Sequence, residues 1–318
     1  MRILTQTAQI PITDLQQWQP VADGAPHWLD IADPQREVLT TLGLHPLVIE
    51  DIMYGGQRTK VEHYDGYLFF VFYAFAIDSD TKLRMQTTPI YVCVSANAII
   101  TIHHGSIELI DISWHRWQVA RHTKTLNQGI LLHGVLDTVV DSYFPLIDEI
   151  GDGVEELEAR VLSGASPAQL RHVLQLKRTL LEFRRHVAPT REALNALLRG
   201  DLLALDSATI MQMQDVYDHV LRIIDGIDLH RDLLAAVLDV HLSVQSNRLN
   251  QVMKVLTIAS IILMVNSLIA GIYGMNFEGM PELHWRWGYP VAMGGMIALS
   301  GLLFWFFRRR GWLSADDI

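Results

Sequence analysis

Cysteine is nearly absent. Cys93 stands alone in 318 residues, which excludes an intrachain disulfide and fits a reducing compartment. A GxxxxGK(S/T) phosphate loop and a GxGxxG fingerprint are missing too, so nucleotide-driven work has no motif behind it. Without CxxC, HExxH or GxSxG, the usual zinc, metalloprotease and serine-hydrolase patterns are gone. We identify no catalytic residue and expect no enzyme. A basic balance is also lacking: 35 acidic against 25 basic residues leave a net charge of −10, the wrong sign for a nucleic-acid face.

Formal charge is missing altogether from two long stretches, Val255 to Phe277 and Trp287 to Phe307. A helix needs about 20 mainly apolar residues to cross the hydrocarbon of a bilayer. "VLTIASIILMVNSLIAGIYGM" and "YPVAMGGMIALSGLLFWFF" therefore predict two transmembrane helices; a pair of buried core helices fits the aromatic ends and the triple arginine less well. The N-terminus lacks a basic segment followed by an apolar stretch, so no cleaved leader is expected. Arg248 and Lys254 precede the first span and Arg308, Arg309 and Arg310 follow the second, whereas the link between them has one Arg against Glu278 and Glu282. Basic flanks stay on the cytoplasmic side. Both termini are expected inside, with Trp285, Trp287 and Tyr289 of the link seated at the outer interface.

Ahead of the spans, residues 1 to about 125 alternate between strand-like and helical pieces. "GYLFFVFYAFAI" (66–77) and "TTPIYVCVSANAIITIHH" (87–104) read as strands, with "SDTK" (79–82) as a hairpin connection. "REVLTTLGLHPLVIEDIM" (36–53) reads as two short helices broken at Gly43 and Pro46. The region predicts a mixed α/β layer domain. Strand signals stop at about 127. Helical periodicity follows, and from about 207 to 273 no proline or strong stop intervenes, which predicts one helix of roughly 100 Å with a mild weak point at Gly226.

His103-His104 could be a metal pair, but adjacent strand residues point to opposite faces, so strand-end polar residues are the simpler reading. The run Asp148, Glu149, Asp152, Glu155, Glu156, Glu158 could gather cations; a solvated helix face explains it as well. More informative is the first span. Asn250, Met253, Leu256 or Thr257, Ser260, Met264, Ser267, Gly271 and Gly274 recur at three- and four-residue steps and share one helical face. Ile258, Ile261, Ile262 and Leu268 fall elsewhere. Such a stripe serves either as a helix-packing face or as a pore wall with Met and Leu as an apolar constriction. Two helices cannot enclose a conduit, so a pore requires several copies. Asn276 would then ring the outer mouth with amide oxygens, which suits Mg²⁺, an ion that retains its waters.

"YGMN" (273–276) followed by "MPEL" (280–283) resembles the signature of the CorA magnesium/cobalt channels. The likeness extends over essentially the whole chain, through "HPLVIEDI" (45–52), "LDTVVDSYF" (136–144), "DVYDH" (215–219) and "SNRLNQVMKVLTI" (246–258). It implies an α+β membrane protein forming a homopentameric funnel. An N-terminal cytoplasmic αβα and helical domain (1–206) would lead to a stalk helix (207–254) that continues into transmembrane helix 1 (255–273). An external loop (274–288), transmembrane helix 2 (289–307) and a basic cytoplasmic tail (308–318) would complete the chain. The resemblance implies Gly274, Met275 and Asn276 as the outer selectivity motif. Asn250, Met253, Leu256 and Met264 would line the pore, with Ser260, Ser267 and Gly271 on the same stripe. It also implies regulatory Mg²⁺ at subunit interfaces, with Asp51 facing Asp215 and with Glu50 and Asp137 as a second site. On this reading unpaired carboxylates repel until Mg²⁺ bridges them.

One departure is Val265-Asn266, where many relatives carry Pro-Leu; Asn266 is a costly polar group in lipid and is expected to face a neighbouring helix or the pore. Another is Gly279, to which no function attaches. The expected activity is Mg²⁺ influx across a bacterial inner membrane, with Co²⁺ and Ni²⁺ as further cargo and lipid as the surrounding partner. Zn²⁺ transport on the same fold is the alternative, favoured less by the full "MPEL" loop. A membrane-anchored cytoplasmic sensor is the alternative of a different class.

Overall fold

The computed structural model describes residues 1–5, 9–11, 27–77, 85–96, 98–120, 127–162, 166–200, 205–275, 279–281 and 285–312. It divides into two compact units, Met1–Leu238 and Asp239–Ile318. The first is built on a seven-stranded sheet in the order β2-β1-β3-β7-β6-β5-β4. Its strands are β1 (Arg2–Thr5), β2 (Gln9–Pro11), β3 (His27–Ala32), β4 (Lys60–Tyr64), β5 (Tyr67–Ile77), β6 (Met85–Ser95) and β7 (Ala98–His103). β3 and β7 run parallel and every other neighbouring pair is antiparallel.

β5 shows why the sheet needs cover on both sides. Leu68 to Phe75 are buried without interruption, although successive strand residues point to opposite faces. A strand enclosed on both faces reads as a continuous apolar run and not as an alternation. Sharing one buried core with the sheet are α1 (Arg36–Thr41), α2 (Pro46–Tyr54), α3 (Glu108–Ala120), α4 (Gln128–Asp141), α5 (Tyr143–Leu162), α6 (Pro167–Leu198) and the first part of α7 (Ser207–Tyr273). His45 caps α2, accepting from the Leu47 amide, and Pro46 fills its first turn. Ser166 and Gln169 form a capping box at the start of α6.

The expected single strand at 87–104 is two. β6 and β7 fold back on each other with Val94 opposite Ile99, and the Ser95 hydroxyl donates to the Ala98 carbonyl across the turn. "SANA" is turn chemistry set inside an unbroken apolar run, which hid the reversal. The proposed connection at 79–82 lies outside the described residues. His103 and His104 diverge as adjacent strand-end residues should: His103 is buried beside Asp30 while His104 bonds the Ile52 carbonyl. Asp148, Glu149, Asp152, Glu155, Glu156 and Glu158 are all exposed. α7 runs unbroken through Gly226, where a Cβ would meet Ile147 of α5 at 3.2 Å.

Close approach also fixes Gly134 of α4, where an added Cβ would stand 2.0 Å from the Trp117 ring nitrogen of α3. We expect Gly134→Val to destabilise this unit by about 1–3 kcal/mol through overpacking, read as a lower midpoint in thermal unfolding of the purified chain. Burial holds His133, His186 and His230 below the ordinary imidazole value. The unfolded chain therefore binds more protons than the folded one below about pH 6.5. Their stabilising share is complete above that value and is lost as pH falls through the lowered folded values. The unfolding midpoint should drop between about pH 7.5 and about pH 5.5; an equal or higher midpoint at the acid end contradicts this assignment.

Candidate ion pathway and metal-binding residues

Among the described residues, three helical stretches are long and apolar enough to cross a membrane: Gln128–Val161, Ser207–Tyr273 and Gly288–Arg309. The first has 56% of its apolar window buried within the fold, against 6% and 0% for the other two. It is core, whereas the others leave their apolar surface to be covered from outside. The second unit holds the last part of α7 and α8 (Gly288–Arg309).

Within that unit the two sides of α7 differ. Ile258 is buried, and Ile261, Ile262, Val265, Asn266 and Ile269 are partly covered. Asn266 Nδ2 donates to Ser300 Oγ of α8 at 2.8 Å, and that hydroxyl donates to the Met296 carbonyl at 2.7 Å. The bond marks this as the side turned to α8. Asn250, Met253, Leu256, Thr257, Ser260, Met264, Ser267, Gly271 and Gly274 all stand exposed, broadly opposite to it at about 100° per residue. The stripe is therefore not what packs against the chain's own second apolar helix. A recess of about 580 Å³ opens beside its N-terminal end, lined by Asn250, Met253, Lys254 and Trp312 among others.

At the other end, Gly271 lies inside α7 and makes no turn. Gly274 follows the last helical residue and donates to the Ala270 carbonyl at 2.9 Å. A Cβ on it would sit 3.1 Å from that same oxygen, so the tight exit suits glycine. Met275 is exposed. Asn276, Glu278 and Glu282 lie outside the described residues.

The candidate regulatory residues belong to the first unit. α4 and α7 each present an i,i+4 pair, Asp137 with Asp141 and Asp215 with His219. Ligand atoms of Asp137, Asp141 and His219 lie within 4.8 Å of one another. His219 Nδ1 is 3.1 Å from Asp141 and its Nε2 is 3.8 Å from Asp215. Burial and the neighbouring Asp137 raise the Asp141 carboxyl above its ordinary value, against the pull of His219. Two carboxylates and an imidazole suit a divalent cation, and the nitrogen favours Co²⁺ more than it does Mg²⁺, which prefers oxygen. Asp141 and His219 did not emerge from the sequence, although the four-residue spacings in "LDTVVD" and "DVYDH" carry the signal.

Among the described residues no hydrogen bond or ion pair joins Asp51 or Glu50 to Asp215 or Asp137 within the chain. Glu50 is exposed. The premise of unpaired carboxylates fails for Asp51 and Asp137. Lys60 Nζ of β4 lies 2.8 Å from Asp51 and 2.9 Å from Glu62, and Arg116 of α3 lies 3.1 Å from Asp137. Burial works against the Lys60 charge, but Asp51 and Glu62 outweigh it and hold the ammonium above its ordinary value. Each carboxylate already has a resident cation because strand and helix neighbours supply one, a pairing that no local sequence pattern reveals.

Comparison with known proteins places these features. The family model described as "CorA-like Mg2+ transporter protein" matches residues 23–309. The chain is 35% identical over 308 residues to the "Cobalt/magnesium transport protein CorA" of Thermotoga maritima, covering 95% of this chain and 88% of that protein. It is 33% identical over 310 residues to the "Putative metal ion transporter YfjQ" of Bacillus subtilis, covering 96% and 94%. In fold it resembles the CorA magnesium transporter structure from Methanocaldococcus jannaschii, with a TM-score of 0.81 at 24% identity over 96% of this chain and 95% of that one. The uncovered apolar helices and the match along nearly the whole length lead to one conclusion: this chain belongs to the CorA family of membrane transport proteins, which are not enzymes.

Proposed function

We propose that several copies of this chain, five by family resemblance, assemble a channel that admits Mg²⁺ down its electrochemical gradient, with Co²⁺ and Ni²⁺ as further cargo. The observation that carries this reading is the polar and small-residue stripe of α7, left uncovered opposite the side that packs on α8. Hydrocarbon is a poor cover for Ser260, Ser267 and Asn250. Water enclosed by identical stripes suits them, with Met253, Leu256 and Met264 as the apolar constriction. A divalent ion gains about 4.6 kcal/mol per 100 mV, so no nucleotide is needed. The membrane is the bacterial inner membrane and both termini face the cytoplasm, as the basic flanks require. Gly274, Met275 and Asn276 form the outer filter, with Glu278 and Glu282 drawing cations to it.

Intracellular Mg²⁺ regulates the channel at subunit interfaces through Asp51 and Asp215, with Glu50 and Asp137 nearby. Lys60 and Arg116 make the incoming ion compete with a tethered cation. That competition weakens the site and suits an ion present at high concentration.

Two experiments test these assignments. In proteoliposomes, Asn276→Ala should abolish selective Mg²⁺ uptake while oligomers persist on native gels; undiminished selective uptake would refute the filter and support a mere membrane anchor. For regulation, Asp51→Ala with Asp215→Ala should leave the cytoplasmic unit more open to protease at millimolar Mg²⁺. Lys60→Met should shift protection the other way, to roughly threefold to tenfold lower Mg²⁺. Digestion curves identical to the parent in both variants would remove Asp51 from the sensor.

A further inference from the structure

Asn266 is the one amide side chain among the described residues of the charge-free part of α7, and it sits in the middle of that run. Its hydrogen bonding is half complete. Nδ2 donates to Ser300 Oγ at 2.8 Å, and the single Ser300 proton is committed to the Met296 carbonyl at 2.7 Å. The order of donors is therefore fixed, running from the α7 side chain to the α8 backbone. Asn266 Oδ1 is buried and has no donor among the described residues. An amide placed this way in hydrocarbon is costly, so its retention calls for a use.

Close packing does not lock this pair of helices. A Cβ added at Gly294, Gly295 or Gly301 of α8 would meet nothing within 4 Å, so these glycines do not serve a tight helix crossing of the small-residue kind. The remaining covered residues of α7 are Ile and Val, whose contacts tolerate rotation. A directional bond is what indexes one helix against the other. Met264 and Ser267 lie on the same turn as Asn266, about 160° and about 100° round the axis from it, so any rotation of α7 about its axis carries both with it.

We infer that the Asn266–Ser300 pair is a positioning latch, by which α8 sets the rotation of α7 and thereby the facing of Met264 and Ser267 toward the conduit. The inference rests on the reading of the stripe as the ion path, and α8 thus contributes to conduction without lining it. Bonds of this kind bias an equilibrium by about threefold to thirtyfold.

The full-length chain in liposomes tests it by cysteine labelling with a membrane-impermeant thiol reagent; native Cys93 is buried and silent. With Asn266 intact, Met264→Cys and Ser267→Cys should label and Ile269→Cys, on the partly covered side toward α8, should label slowly. Adding Asn266→Leu, or the milder Ser300→Ala, should slow labelling at the first two positions by threefold or more and speed it at Ile269→Cys. Without introduced cysteines, each variant should lose threefold or more of its Mg²⁺ uptake. Asn266→Leu with Ser300→Ala should be no worse than Asn266→Leu alone, and the exchange Asn266→Ser with Ser300→Asn should restore labelling and uptake. A purely structural role would lower thermal stability without moving the labelling pattern, and that result overturns the latch, as do fully additive effects. Absence of labelling at Met264→Cys and Ser267→Cys with Asn266 intact sinks the ion-path reading first, and this inference with it.

Discussion

Hydrocarbon cannot hydrogen-bond, and that constraint governs the apolar helices of this protein. A helix entering it must hide its polar side chains against protein or water. α7 answers the demand differently on its two sides. The side toward α8 holds isoleucines and one amide that has found a hydroxyl. The other side offers serines, glycines, an asparagine and flexible methionines that nothing among the described residues covers. Had those small residues been a packing device within the chain, α8 would sit on them. It sits elsewhere, and on the function proposed above the cover comes from further copies of the chain and from water held between them.

The first unit follows the opposite regime, in which charge is abundant and locally balanced. Lys60 meets Asp51, Arg116 meets Asp137, and His219 stands between Asp141 and Asp215. On the regulation proposed above, such balance changes what the cation does. An ion arriving at bare carboxylates would bind tightly and stay, making a sensor that is saturated under all conditions. An ion that must displace an ammonium or a guanidinium gains only the difference between two electrostatic attractions, and both are screened near the surface. Half-exposed pairs of this kind lend themselves to release as well as to capture.

The legibility of these features in the sequence follows the range of the interactions behind them. The charge-free runs, the unbroken helical pattern of α7 and the breaks at Gly43 and Pro46 are local properties, and each has its counterpart in the structure. The three- and four-residue stripe placed Met264 and Ser267 together because helix geometry alone decides which residues share a face. The turn between β6 and β7 was lost because its residues lie inside a run of strand formers. Lys60 beside Asp51 and Asn266 beside Ser300 were illegible for a stronger reason: each joins residues of different elements, and tertiary packing alone brings them together. His219 lies between these cases, since its four-residue spacing from Asp215 is local but its approach to Asp141 is not.

α7 unites the two regimes in one covalent element. Asp215 and His219 stand near its start and the uncovered stripe near its end, with no proline between them. A helix yields where its hydrogen-bond ladder is interrupted or where a glycine is free to move. Gly226 is the obvious candidate for such a point, yet Ile147 of α5 presses against the space its side chain would fill. A glycine held by its neighbour on one side stiffens a helix pair where it might have weakened a single helix. Rigid elements carry coupling when both of their ends are biased by binding. In this helix the carboxylates and imidazole at one end and the latch to α8 at the other are the two places where such a bias can be applied.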